Sequence, residues 1–212
     1  MPVHWVDISI PMKPGMTVWP GDPPFTLSPL ERVSEGAVCN TSLLSMGTHT
    51  GTHIDAPWHY DDRGPKLNEV DTDLFFGPVR VLELAEVGMI RAEDLGAEPL
   101  AKRMLLKTRN SAFPVNSSFR KNYAAVEADA AERIVSEGVQ LLGVDYLSVE
   151  PYVQANSETH RRLLHGGVLV VEGLCLQGIE AGDYQFVVLP LPIHGVDGAP
   201  CRAFLGSRSQ SS

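Results

Sequence analysis

The segment His49-Thr-Gly-Thr-His53-Ile-Asp55-Ala-Pro-Trp-His59 constrains the chain more than any other. Three histidines and one aspartate fall within these eleven residues, in a chain that holds seven histidines. His49 and His53 are spaced as on a metal-binding helix, but Gly51 and Pro57 oppose a helix here. The His-Glu-x-x-His arrangement of metalloprotease helices is absent as well. An extended, turning backbone is the better reading. In a strand, residues two apart share a face, so His53 and Asp55 would point the same way. The β-branched Thr50 and Thr52 stiffen such a segment. Gly51 lets the backbone bend so that His49 reaches the same point. Pro57 sets a turn that presents His59 on its far side. Imidazole and carboxylate together suit zinc and other borderline divalent ions. One histidine of this kind reads as a satisfied loop residue. Three with an aspartate at this spacing point to a metal-dependent hydrolase.

Composition narrows the class. A chain of 212 residues that is 43% hydrophobic can bury one compact core, and 1–212 reads as a single domain. A net charge of −9 opposes nucleic acid as a partner and leaves no basic patch for anionic lipid. Cys39, Cys175 and Cys201 are scattered and odd in number, with no C-x-x-C pair. They read as small buried hydrophobes. No apolar run reaches the roughly 18 residues of a membrane span. The start, Met-Pro-Val-His-Trp-Val-Asp, is not a signal peptide. The expectation is a soluble, cytoplasmic protein.

Residues 11–24 hold five prolines and two glycines. With Met16, Val18 and Trp19 to bury, they read as an ordered arm rather than a linker. The polar tail 207–212 reads as frayed. Strands are predicted over 79–85 and 104–108. Residues 123–137 show helical spacing of Val126, Ala130, Ile134 and Val135, with Gly138 as a helix stop. Residues 139–144 then read as a buried strand ending at Asp145, where α/β sites commonly form. Ser157 is placed to cap a short helix through Leu164, with Gly166 after its end. Further strands are predicted at 168–171, 186–191 and 202–205. The fold class is α/β, a single mixed-sheet domain with more strand than helix.

The motif needs partners from elsewhere in the chain. His160 lies near the start of the short helix. Glu172 follows the apolar run Val-Leu-Val-Val, and a buried carboxylate is costly unless paired or coordinated. The alternative for Glu172 is a strand-end residue facing solvent. His165 suits the helix C-terminus, and His4 and His194 read as structural.

These residues carry a resemblance. The chain resembles the cyclase family of metal-dependent hydrolases, which includes bacterial kynurenine formamidase. The signature H-x-G-T-H-x-D-x-P-x-H is matched at every specified position of residues 49–59. Trp19-Pro-Gly-Asp22, Gly143-Val-Asp145, Val171-Glu172-Gly173, Gly182-Asp-Tyr184 and Leu189-Pro-Leu-Pro192 extend the similarity across nearly the whole chain. The resemblance implies a swivelling β/β/α fold and a site for one or two zinc ions. By position, His49, His53 and Asp55 would bind the first metal. Asp55 would bridge to a second, completed by His160 and Glu172. His59 would be the general acid/base, and Trp19 would line the substrate pocket. A homodimer or homotetramer is implied too. One stretch departs from the pattern. Asp145-Tyr-Leu-Ser-Val-Glu-Pro151 stands where kynurenine formamidases carry Asp-Thr-x-Ser-x-Asp-Pro, which bears on substrate rather than on metal.

The implied reaction is hydrolysis of N-formyl-kynurenine, an arylformamidase activity. A metal supplies ionised water at neutral pH, and imidazole can protonate the leaving amine. Trp19 and Trp58 offer flat walls for an aromatic substrate, with core packing the simpler role for Trp58. One alternative is a cyclic-amide hydrolase resembling isatin hydrolase, with manganese in place of zinc. Another is a non-catalytic metal-containing binding protein, whose mark would be loss of His59. That residue is present.

Overall fold

The structure is a computed structural model and describes residues 3–113, 118–152 and 157–208. Twelve strands and two α-helices appear among them. The first strands are β1 (Val3–Asp7), β2 (Thr26–Glu31), β3 (Thr41–Ser45) and β4 (His53–Asp55). They are followed by β5 (Phe76–Leu84), β6 (Met89–Ile90), β7 (Arg103–Thr108) and β8 (Ala125–Val126). Helix α1 (Ala128–Ser136), β9 (Leu141–Val144), α2 (Glu158–His165) and β10 (Leu169–Glu172) come next. The chain closes with β11 (Gly182–Pro190) and β12 (Gly198–Arg208).

The main sheet closes on itself. Its order is β1-β12-β11-β5-β7-β9-β10-β4, and β4 pairs back onto β12. Strands β5, β7, β9 and β10 run parallel, and the remaining pairs of this sheet are antiparallel. Parallel neighbours require crossovers. Here α1 lies between β7 and β9, and α2 between β9 and β10. This is the mixed α/β architecture expected, with the sheet drawn into a barrel-like ring and few helices.

Strands β9 and β10 are buried along their whole length because both of their faces are covered. Leu105, Leu141, Leu169 and Val171 point to one core with Ile54, Phe186 and Leu205, inside the ring. Their neighbours Leu106, Leu142 and Val170 pack with Ile134 and Leu163 under the helices. Alternation along β4 and β10 therefore decides where the site forms. Ile54 and Val171 face the ring interior. His53, Asp55 and Glu172 must face out, on the side that α2 covers.

Several local expectations are corrected. The helix begins at Ala128, not near Tyr123. Ala125 and Val126 pair instead with Met89 and Ile90. The side chain of Asn110 bonds both the amide and the carbonyl of Ala124, at 2.7 and 2.9 Å. Ser157 has φ of 47° and makes no side-chain cap. Glu150 Oε2 accepts the His160 amide at 3.1 Å, the bond a capping serine would have made. Gly166 does follow the end of α2 as expected, and Gly167 after it takes the left-handed conformation. Ser207 pairs with His4 inside β12, so the tail read as frayed starts within a strand; residues 209–212 lie outside the described ones. Cys39 is exposed, and Cys175 and Cys201 are half-buried, so none is a fully buried hydrophobe. No helix among the described residues is long and apolar enough to cross a membrane.

Gly173 joins the end of β10 to the metal motif. Its φ is +70°, and an added Cβ would stand 2.4 Å from the Gly51 carbonyl oxygen. Thr52 Oγ1 donates to the Gly173 carbonyl at 2.6 Å across the same contact. Gly173→Ala should cost at least about 1–3 kcal/mol from the backbone conformation alone, before the clash is relieved. Urea unfolding checks this; an unchanged midpoint would refute the close approach.

Candidate metal centre

His53 and Asp55 sit two apart on β4 and share a face, as alternation requires. Glu172 stands directly opposite His53 in the β4–β10 ladder. It is 4% exposed, so the solvent-facing alternative for it is excluded. Gly51 takes φ of +71° and turns the chain, which brings His49 back over Asp55. His160 comes from α2. The five residues expected to form the site thus meet at one place.

Their contacts divide into two groups that share Asp55. In the first, His49 Nδ1 lies 2.7 Å and His53 Nε2 3.4 Å from Asp55 Oδ1. In the second, His160 Nε2 lies 3.0 Å from Glu172 Oε1 and 3.7 Å from Asp55 Oδ2. Glu172 Oε2 is also 3.4 Å from His53 Nε2, so this carboxylate touches both groups.

Each of the three histidines is held from behind. His49 Nε2 meets Asp197 Oδ2 at 2.9 Å, His53 Nδ1 donates to the Gly51 carbonyl at 3.0 Å, and His160 Nδ1 meets Glu150 Oε2 at 3.0 Å. The outer partner settles which ring nitrogen faces the acids, as it does around bound metals. Asp55 Oδ2 is buried and has no hydrogen-bond partner among the described residues. A buried carboxylate oxygen without a donor is costly. A divalent cation between the imidazoles and carboxylates would satisfy it, so the donor set fits such an ion.

Burial opposes the charge on His49, Asp55, His160 and Glu172, and opposite charges outweigh it. His49 and His53 hold the Asp55 carboxyl well below the usual range. His160 and His53 hold Glu172 low, against burial and the charge of Asp55. Glu150 and Glu172 raise His160 well above its ordinary value. Burial also works against charged His49, but Asp55 and Asp197 raise it from 6.5 to about 10. In metal-free protein the stabilisation due to His49 is therefore complete below pH 6.5 and is lost as pH rises toward 10. Metal must displace that proton, so affinity should rise with pH across the same window. Chelator competition at several pH values checks this; a flat profile would refute it.

His59 follows Pro57 on a short 3-10 turn. Its ring stacks on His49 with centroids 4.0 Å apart, and its Nδ1 lies 3.5 Å from Asp197 Oδ2. His59 lines a cavity of about 300 Å³ together with Trp19, Tyr60, Tyr152 and the histidines of the cluster. Trp19 reaches it from the Pro-rich arm and contacts Phe119 and Tyr152 at 5.2 and 5.7 Å. Trp58 does not line this cavity; Lys66 lies over its ring. Asp145 is buried but stands apart from the cluster, bonded to Thr108 and Ser111. A second cavity of about 290 Å³ adjoins it, with no His-carboxylate cluster in its lining.

The Cyclase family model matches residues 6–151. The chain belongs to the cyclase family. Among its members, a kynurenine formamidase from Bacillus cereus is 36% identical over 205 residues, covering 95% of this chain and 97% of that protein. Another from Geobacillus thermodenitrificans is 34% identical over 203 residues, covering 95% and 96%. A solved structure from Bacillus stearothermophilus, described as a predicted metal-dependent hydrolase, superposes with a TM-score of 0.84. It is 29% identical and covers 98% of this chain and 100% of its own.

Sequence reasoning missed Asp197, Glu150, Tyr60 and Tyr152 as parts of this site. Asp197 follows a turn far from the motif, and no local spacing marks it. Glu150 had a partial signal, since it falls in the Asp145–Pro151 stretch that departs from the pattern of the resemblance.

Proposed function

We propose that the protein is a metal-dependent hydrolase of carbon–nitrogen bonds, an arylformamidase that converts N-formyl-kynurenine to kynurenine and formate. The observation that carries this is the double donor set around Asp55, in a chain 34–36% identical to kynurenine formamidases. His49, His53 and Asp55 would hold one ion, and Asp55, His160 and Glu172 a second. Zinc suits these ligands best, with manganese an alternative. Bound there, the metal would supply water that ionises near neutral pH and would polarise the formyl oxygen.

The side chains do the rest. His59 Nδ1 faces Asp197, which leaves Nε2 as the nitrogen open to the cavity. His59 takes the proton of the attacking water and returns it to the aniline nitrogen as the C–N bond breaks. Trp19 and Tyr152 flank the cavity and present flat apolar surface to an aryl ring.

Metal analysis and hydrolysis of N-formyl-kynurenine, followed by ultraviolet absorbance, test this reading. Isatin, a cyclic amide, is the comparison substrate. Metal-loaded protein that leaves the formamide intact would overturn the assignment, and preference for isatin would move it to ring opening. We further infer a cytoplasmic homodimer or homotetramer. The exposed Leu27, Leu30, Leu43 and Leu44 of the β2–β3 hairpin support an assembly, and light scattering checks its size.

A further inference from the structure

Two histidines of the motif converge on one residue outside it. Asp197 precedes β12, and its backbone carbonyl accepts the Ala56 amide at 2.8 Å, which ties it to the end of β4. Its Oδ2 lies 2.9 Å from His49 Nε2 and 3.5 Å from His59 Nδ1. Thr48 Oγ1 donates to its other oxygen at 3.2 Å. The His49 and His59 rings stack with planes 27° apart, so neither turns without the other. His49 offers its second nitrogen to Asp55, in the first ligand group.

We propose that Asp197 is a positioning residue that serves both halves of the reaction through one oxygen. It holds His49 with Nδ1 toward Asp55 and the metal, and it holds His59 with Nε2 toward the substrate. This deepens the hydrolase reading and rests on it. The hydrogen bond at one ring nitrogen decides which state the other adopts. A carboxylate oxygen has lone pairs for two donors, so a single residue can set both rings. Metal affinity and proton transfer are thereby coupled in one side chain.

The test is Asp197→Asn, which keeps the shape and removes the charge, made alone and combined with His59→Ala. Metal affinity is read by chelator competition, kcat and KM on metal-saturated protein, and the ring nitrogens of His49 and His59 by ¹⁵N NMR. Affinity should fall about 10–100-fold, the usual effect of losing an outer partner of a metal-bound histidine. On saturated protein, kcat should fall roughly 10–100-fold with KM little changed, a part of the general acid–base contribution. In the His59→Ala background the affinity loss should persist, while kcat should fall no further. Nitrogen signals of both rings should shift in Asp197→Asn.

Unchanged affinity, kcat losses that simply add, or a shift confined to one ring would each overturn the proposal. Complete metal loss would also overturn it and mark Asp197 as a ligand. If wild-type protein hydrolyses no formamide, the functional reading fails, and the affinity and NMR measurements still decide the role of Asp197.

Discussion

Glu172→Gln should strip the metal and abolish hydrolysis together. Glu172 is buried and touches both ligand groups, through His160 at 3.0 Å and His53 at 3.4 Å. It also accepts the Val149 amide at 2.7 Å, so its orientation is held from the backbone. The amide is similar in shape but lacks the charge that offsets a divalent cation. Half of its end group becomes a donor, turned toward imidazole nitrogens that must themselves face metal. Loss of an outer partner already costs about 10–100-fold in affinity, and loss of a direct ligand should exceed that. Removing one member of a buried charged cluster costs about 3–5 kcal/mol, so the metal-free variant should also unfold earlier. Metal content by elemental analysis and the rate at saturating metal check the prediction. Normal content with a normal rate would remove Glu172 from the site.

His59→Ala should keep the metal and lose the rate. His59 stands behind His49 rather than between the two carboxylates, and its nearest acid is Asp197 at 3.5 Å. Deleting it leaves the Asp55-centred groups intact. The loss should be roughly 10²–10⁴-fold, the range of general acid–base catalysis. At about 1.36 kcal/mol per tenfold, that is about 3–5 kcal/mol of barrier. Formanilides with better leaving amines should lose less, because they need protonation less. Metal lost in parallel with activity would mark His59 as a ligand. A fully active variant would end the proposed mechanism.

Residues 49–59 were legible because their message is local. The strand period puts His53 and Asp55 on one face wherever the strand lies. Gly51 could be read as a bend because its position needs φ that other residues avoid, and it has φ of +71°. The apolar runs of β7, β9 and β10 could be read as buried strands for the same reason. The helix start failed because Ala125 and Val126 had a better use, pairing with β6. Ser157 failed because Glu150, distant until the fold forms, took its hydrogen bond.

Sequence alone therefore determined the candidate donor set, the mixed α/β class and, by resemblance, the family. Only the tertiary structure decided how the ligands meet. Register places Glu172 opposite His53, and closure of the sheet through β4 and β12 brings Asp197 beside His49 and His59. Spacing along a chain fixes the directions of near neighbours. Convergence of distant side chains depends on which strands pair, in which register, and on which face the helices settle. Those choices follow from burying the whole apolar surface at once, and no short stretch of residues encodes them.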